Sequence, residues 1–328
     1  MHVGIIGAGG IANKVTDTLQ RMEEADAYAI ASRSLEKAED FARRHGVPRA
    51  YGSYEALLDD PEVDLVYVTT PHSHHFDITR QALLRGKPCL VEKAFMANAA
   101  QTRVILDLAR EKNVFVGEAI WTRYQPAREM VRRLIDQGRI GPPRFYTATL
   151  AYSIEHVERL RRPELCGGAL LDVGVYGLNF VRMFCDSPIE SVVSQCVLSD
   201  EGVDLSNTVS LRMENGAMAN IDSSAWCCGY NLGVIAGPEG SLVVTHVNNP
   251  MTISVTDRKR NIIDVLSVPE RISGYEYQFQ ACRDAIGAGL IEPPQMPHSE
   301  ILYLMELMDR LRGEWGVHYP MDDVDWRP

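Results

Sequence analysis

The sequence predicts an α/β fold in two parts: an N-terminal doubly wound parallel sheet, then a C-terminal α+β domain built on a largely antiparallel open sheet. Three observations carry this. An apolar strand, His2 to Ile6, opens the chain and runs into Gly7-Ala-Gly9-Gly10-Ile11-Ala12 and then a helix. Strands and helices alternate to about residue 116, the pattern of parallel strands joined by helical crossovers. Over residues 191–268 the pattern becomes strand after strand. The turn signals between them are Glu214-Asn-Gly216, Gly237-Pro-Glu-Gly240 and Asn248-Asn-Pro250, as in an antiparallel sheet.

The chain of 328 residues has room for two domains, expected at 1–120 and 121–328. Its net charge of −11 argues against nucleic acid or an anionic membrane as partner. A local basic pocket for a small anionic ligand is compatible with that charge. No apolar run approaches the roughly 20 residues that span a bilayer, and the first residues lack a basic n-region and cleavage site. The expectation is a cytoplasmic protein with a small-molecule substrate. The seven cysteines are odd in number and form no C-x-x-C pair, so reduced thiols are expected and a metal site is not.

In chain order, the first motif matches G-x-G-x-x-A between a strand and a helix. Gly7 permits the tight turn, Gly9 lets the backbone approach a pyrophosphate, and small Ala12 permits close helix–strand packing; Gly10 and Ile11 lie at the start of the helix, whose free N–H groups favour phosphate. This is the start of a Rossmann domain. The second strand, about residues 27–31, ends in Ser32-Arg33-Ser34. An NAD-binding chain usually places a carboxylate there for the ribose 2′-hydroxyl. Serine and arginine, with Lys37 one turn on, suit a 2′-phosphate instead. NADP is therefore expected over NAD.

Residues 35–46 and 54–59 read as helices, and residues 63–68 as a strand ending in Thr69-Thr70-Pro71-His72-Ser73-His74-His75. Ser73 is expected to cap the helix that runs to residue 85. The histidines have no acidic or cysteine partner at ligand spacing, so His72 and His74 are placed beside the cofactor at a strand end. A strand at 89–91 then ends in Glu92 and Lys93, where an open α/β sheet binds ligands. A helix over 98–112 and a strand over 114–116 complete this part.

After Glu118 come a helix over 125–137, a strand over 144–152 and a helix over 168–184, opened by Gly167-Gly168. Asp172 and Tyr176 lie four apart on that helix and share a face. A lysine, a tyrosine and a carboxylate make a proton-transfer set, against the plainer reading of Lys93 as a solvated strand end and Tyr176 as a core aromatic. Two helices, about 275–288 and 299–313, close the chain.

The glycine motif, Thr70-Pro71 with His75 and Ala82-Leu83, Gly86 to Lys93, and Gly167-Gly168 through Asp172 and Tyr176 resemble, in order and spacing, the Gfo/Idh/MocA family of NAD(P)-dependent oxidoreductases. The resemblance implies that Lys93 is catalytic or substrate-orienting, that Glu92 adjoins the cofactor, and that Asp172 is in the site. It extends cofactor contacts to Thr70, Pro71, His72, His75 and Arg123. Tyr176, where many sugar and inositol dehydrogenases carry histidine, and the segment Glu118-Ala-Ile-Trp121-Thr-Arg123-Tyr-Gln-Pro126 are more similar to the branch of dimeric dihydrodiol dehydrogenase and glucose–fructose oxidoreductase. That branch implies NADP, a homodimer or dimer of dimers through the open sheet face, and a substrate-lining Trp121, whose alternative is a core tryptophan. Ala94 replaces the family's proline and His72 a common asparagine. A cis bond before a residue other than proline costs about 2.5–4 kcal/mol, so Lys93–Ala94 is expected to be trans.

The expected chemistry is hydride transfer between nicotinamide and a carbinol or carbonyl carbon of a sugar, polyol or dihydrodiol, a dehydrogenase or reductase acting on CH–OH groups. Tyr176 would give or take the proton, Lys93 stabilise its phenolate, and Asp172 orient Lys93 or a substrate hydroxyl. The alternatives are a dinucleotide-binding regulatory protein without turnover and a biliverdin-reductase-like or imine-reducing enzyme on the same scaffold. His156, Arg161 and Arg162 stand as ligand contacts or surface charges.

Overall fold

The structure is a computed structural model, and residues 1–327 are described. By internal contacts the chain divides into two units, Met1–Ile120 with Ile272–Asp309 and Pro320–Pro328, and Trp121–Arg271 with Arg310–Tyr319.

In the first unit, strands β1 (His2–Ile6), β2 (Asp26–Ala31), β3 (Arg49–Tyr51), β4 (Leu65–Val68), β5 (Cys89–Glu92) and β6 (Val116–Ala119) form a parallel sheet in the order β3-β2-β1-β4-β5-β6. Helices α1 (Gly10–Leu19), α2 (Leu35–His45), α3 (Tyr54–Leu58), α4 (His75–Leu84) and α5 (Ala99–Lys112) make the connections. Strand order reverses beside β1, so β1 and β4 bound the crevice where such sheets take ligands. All four residues of β4 are buried, as a strand covered on both faces requires.

Two local expectations shift. The last strand is β6 at Val116–Ala119, not 114–116; Val114 instead follows the helix end, its N–H bonded to Ala109. Ser73 does not cap α4. Residues His72–His74 form a 3₁₀ turn, α4 starts at His75, and the Ser73 hydroxyl meets His74 Nδ1 at 2.8 Å. Asn98 does cap α5, accepting from the Gln101 N–H at 2.9 Å.

The second unit holds α6 (Pro126–Asp136), β7 (Phe145–Ala151), α7 (Val175–Phe184), β8 (Ile189–Leu198), β9 (Asp204–Met213), β10 (Met218–Ser224), β11 (Leu232–Gly237), β12 (Gly240–Thr245), β13 (Thr252–Asp257) and β14 (Ile262–Ser267). Its sheet runs β14-β13-β12-β11-β7-β10-β9-β8 and is antiparallel except at β7–β10, which pair parallel. The inner face, including Ala148, Val209, Leu211 and Ile221, is buried, and α7 packs against β7 and β10. On the outer face the register aligns Val193, Ser210, Asn220, Thr147, Val234, Val243, Ser254 and Val265 across all eight strands, with no charged residue among them.

The closing helices, α8 (Glu276–Gly287) and α9 (His298–Trp315), were expected in the second domain. Instead α8 joins the core of the first unit. Phe279, Cys282 and Ala285 bury their side chains in the cluster that contains Val3, Ile5 and Tyr67. Phe279 meets the Tyr67 ring edge-on at 5.4 Å. The apolar side of α8 thereby covers this sheet.

Candidate functional site

In the first unit the glycine turn and the β4 end are tied together. Thr69 Oγ1 donates to Ile6 O at 3.0 Å and Gly7 O at 2.8 Å. Gly7 has φ +108°, and a Cβ there would lie 3.0 Å from Thr69 Oγ1, so both backbone and space require glycine. A Cβ at Gly9 or Gly10 would meet nothing within 4 Å. The α1 N-terminus has no side-chain cap and no acidic residue in its first turn. Thr70 Oγ1 is buried without a hydrogen-bond partner. An open cradle, uncapped N–H groups and an orphaned hydroxyl fit a dinucleotide pyrophosphate. Ile11 is half-buried and Ala12 fully buried against the sheet. At the β2 end, Arg33 and Lys37 are exposed and Ser32 half-buried; Ser34 caps α2 by accepting from the Lys37 N–H.

Two histidines staple the Thr70–His75 loop to the segment after β5. His72 Nε2 lies 3.1 Å from Lys93 O; His75 Nδ1 lies 3.0 Å from Phe95 O and its Nε2 2.9 Å from Thr70 O. Burial pushes the His75 pKa down to about 4. As a neutral ring it donates to one of those carbonyls. The Lys93–Ala94 bond, expected trans, is cis. Ala94 through Ala97 are wholly buried and the Lys93 and Phe95 carbonyls are engaged by the two histidines, so the packed turn rather than the residue type sets its conformation. Glu92 accepts a hydrogen bond from the buried Tyr67 hydroxyl, which pins the carboxylate beside Lys93 in sequence; burial and that carboxylate hold the Tyr67 phenol well above its usual range.

In the second unit, the expected helix over 168–184 begins as a π-helical turn, Leu170–Gly174, before α7. Widened turns of this kind recur at functional sites. Asp172 sits in it, buried, and accepts from Arg159 Nη2 at 2.9 Å. Tyr176, in the first turn of α7, is buried and its hydroxyl oxygen accepts from Trp121 Nε1 at 2.8 Å. Arg123 Nε donates to Asn179 Oδ1, one turn beyond Tyr176. The 3₁₀ segment Trp121–Tyr124 thus hangs on α7 by two hydrogen bonds.

Gly167 and Gly168 are required by close approach. A Cβ on Gly167 would lie 2.5 Å from Leu160 O, and one on Gly168, whose φ is +119°, 2.2 Å from Asp204 Oδ1. Arg159, Asn179, Asp204 and Tyr67 have no motif around them, and these contacts of theirs span 13 to 56 residues of sequence. Asp204, beside Gly202-Val203, carries no local signal of its role. Arg161 pairs with Glu201 and Arg162 with Glu158 around an open surface hollow of about 630 Å³ also lined by His156. Each of the two arginines is thus paired with a carboxylate at the surface.

Residues 1–119 match the family model described as "Oxidoreductase family, NAD-binding Rossmann fold", and residues 129–243 match "GFO/IDH/MocA C-terminal domain". The chain is 36% identical over 325 residues to trans-1,2-dihydrobenzene-1,2-diol dehydrogenase of Xenopus tropicalis, covering 97% of this chain and 98% of that protein. The Mus musculus enzyme of that name is 32% identical over 332 residues with the same coverage. A 3-ketoreductase from Actinomadura kijaniata, solved with NADP and TDP-benzene, has a TM-score of 0.85 at 25% identity, over 95% of this chain and 97% of that one. An aldose–aldose oxidoreductase from Caulobacter crescentus, solved with glycerol, shares the fold at TM-score 0.85 and 22% identity, over 96% and 98%.

Proposed function

Because the chain belongs to the Gfo/Idh/MocA family of NAD(P)-dependent oxidoreductases, we propose that it is an NADP-dependent dehydrogenase acting on a CH–OH carbon of a dihydrodiol, sugar or polyol. The dihydrodiol dehydrogenases to which it is similar over nearly its whole length support the first of these. The Ser32-Arg33 pair and the absence of a carboxylate at either position support NADP.

The observation that carries the enzyme reading is the Trp121–Tyr176 hydrogen bond. An indole N–H only donates, so it occupies an acceptor position of the tyrosine oxygen and leaves the phenolic O–H to donate elsewhere. That hydroxyl is the proton donor for a carbonyl undergoing reduction. In the other direction the phenolate takes the alcohol proton, and the indole N–H stabilises it. Lys93 adds a positive charge that favours the phenolate. Asp172, with Arg159 on its Oδ1, orients a neighbouring substrate hydroxyl. The residues that would hold the cofactor are Gly7, Gly9, Gly10, Thr70, Ser32 and Arg33, with Lys37, Pro71, His72, His75, Glu92 and Arg123 contributing. Bound there, its nicotinamide supplies or accepts the hydride. What remains to the protein is orientation and one proton.

The test is a set of single-turnover rates for Tyr176→Phe, Lys93→Met and the double variant, across pH, with a trans-dihydrodiol, aldoses and polyols. Tyr176→Phe should keep NADP binding and lose about 10²–10⁴-fold in rate, the range for a positioned acid or base. Lys93→Met should act similarly and the double variant little worse, since groups that work as a unit are non-additive. Full activity in Tyr176→Phe with loss in Asp172→Asn would move the proton to the carboxylate or a bound water. NADP binding with no turnover on any of these substrates would favour a regulatory protein.

The outer-face row from Val193 to Val265, which carries no charged residue, supports a further element of the proposal, a homodimer formed by pairing two such faces.

A further inference from the structure

We propose that Asp204 is a positioning residue for the proton-transfer site: by accepting the Leu170 N–H, its carboxyl group fixes the π-helical turn that carries Asp172 and leads into Tyr176. This rests on the functional reading above. Asp204 opens β9 and is wholly buried. Its Oδ2 accepts from Leu170 N at 2.7 Å and from Asn207 Nδ2 at 2.8 Å. Its Oδ1 has no hydrogen-bond partner and occupies the place that a side chain on Gly168 would need. Asn207 Oδ1 in turn accepts from Ser223 Oγ at 2.6 Å, and a Cβ on Gly174, the last residue of the turn, would lie 2.9 Å from that Ser223 oxygen. The line Asp204–Asn207–Ser223 therefore underlies the turn from its first N–H to its last residue. Gly167 O is fixed on the other side by the Tyr319 hydroxyl at 2.5 Å.

A backbone amide at the head of a helix has no intrahelical acceptor. Leu170 finds a carboxyl group instead, and a charged acceptor holds it about twice as strongly as a neutral one. Which form is present depends on pH. Burial pushes Asp204 up to about 7, while Asn207, the Leu170 amide and the Arg312 guanidinium favour the ionised form. The Cys196 thiol on β8, pushed up to about 11 chiefly by its own burial, also faces it. Arg312, stacked on the Tyr319 ring at 4.3 Å, is the cation in this surround. With Oδ1 protonated, Oδ2 still accepts both bonds, but as a neutral group. As the pH rises through about 7 the bond to Leu170 becomes charge-assisted and the turn tightens.

The experiment compares wild type, Asp204→Asn and Asn207→Ser in the NADP-loaded protein. Wild type should show a rise in kcat/KM with an apparent pKa near 7, and Asp204→Asn should lack it. At pH 8 Asp204→Asn should lose at least about tenfold in kcat, as small misplacements of reacting groups do, with NADP affinity unchanged. Asn207→Ser, which removes a donor to Oδ2, should move the rise to higher pH. The thermal midpoint needs no substrate. In wild type it should fall between about pH 4 and about pH 7 relative to Asp204→Asn, because a carboxyl group with a raised folded pKa binds its proton more tightly in the folded state. An identical pH–rate profile in wild type and Asp204→Asn would overturn the proposal, as would a rise unmoved in Asn207→Ser should Asp204→Asn not fold. The correct midpoint behaviour without turnover in any protein would instead count against the assigned reaction.

Discussion

Trp121 Nε1 donates to the hydroxyl oxygen of Tyr176 across 2.8 Å, with both side chains buried and the two residues 55 positions apart in sequence. A free tyrosine titrates near pH 10, and a donor fixed on its oxygen favours the ionised form. Trp121→Phe keeps a large ring and removes only the N–H. It should lower the single-turnover rate roughly ten- to a hundredfold, the scale of a hydrogen bond to a charged group, and shift the pH–rate profile upward. An unchanged rate and profile would make Trp121 a packing residue alone.

Arg33 stands exposed at the β2 end, where a carboxylate would repel a 2′-phosphate. Arg33→Ala should weaken NADP binding by about 1.5–3 kcal/mol, the scale of a hydrogen bond to a charged group, and leave NAD nearly unchanged. Calorimetric titration of both nucleotides decides this; equal loss for the two removes the 2′-phosphate assignment.

His75 is held neutral by burial, with a folded pKa near 4 against about 6.5 when unfolded. The unfolded chain therefore binds more protons between those values, and stability is lost as pH falls from about 6.5 towards about 4. His75→Gln should flatten that slope, measured by urea midpoints at half-unit pH steps. Asp204 acts with opposite sign over an overlapping interval, so each comparison is between variant and wild type at one pH. A slope unchanged in the variant would show that other groups govern acid sensitivity.

If the outer sheet face pairs two copies, a charge at its centre should separate them. Val243 lies in the uncharged row, between Val234 and Ser254. Val243→Arg should yield a monomer at micromolar concentration by light scattering where wild type is dimeric. A monomeric wild type, or a dimer untouched by Val243→Arg, would remove this face from the interface.

The first sheet, its glycine turn and the placement of Lys93 at a strand end were legible in the sequence because local physics decides them. Buried parallel strands read as apolar runs, and Gly7 is demanded by a positive φ one residue after β1. Asp172 and Tyr176 were readable as a pair four apart near the start of a helix, but not the π-helical turn that holds Asp172. The tertiary structure decided the rest. Which sheet α8 covers depends on three side chains finding a core that includes Val3, more than 270 residues earlier in the chain. The Lys93–Ala94 bond answers to His72 and His75 and to the packing around Ala94, and neither effect is written in the residue type. Gly167 and Gly168 looked like the opening of a helix. Their reason is the Leu160 carbonyl and the Asp204 carboxyl group, the second brought there from β9. Contacts between distant segments cannot be read from spacing, because only the packed chain fixes which polar group meets which. In this protein those contacts set the hydrogen-bond surroundings of Asp172 and Tyr176, through Arg159 and Trp121.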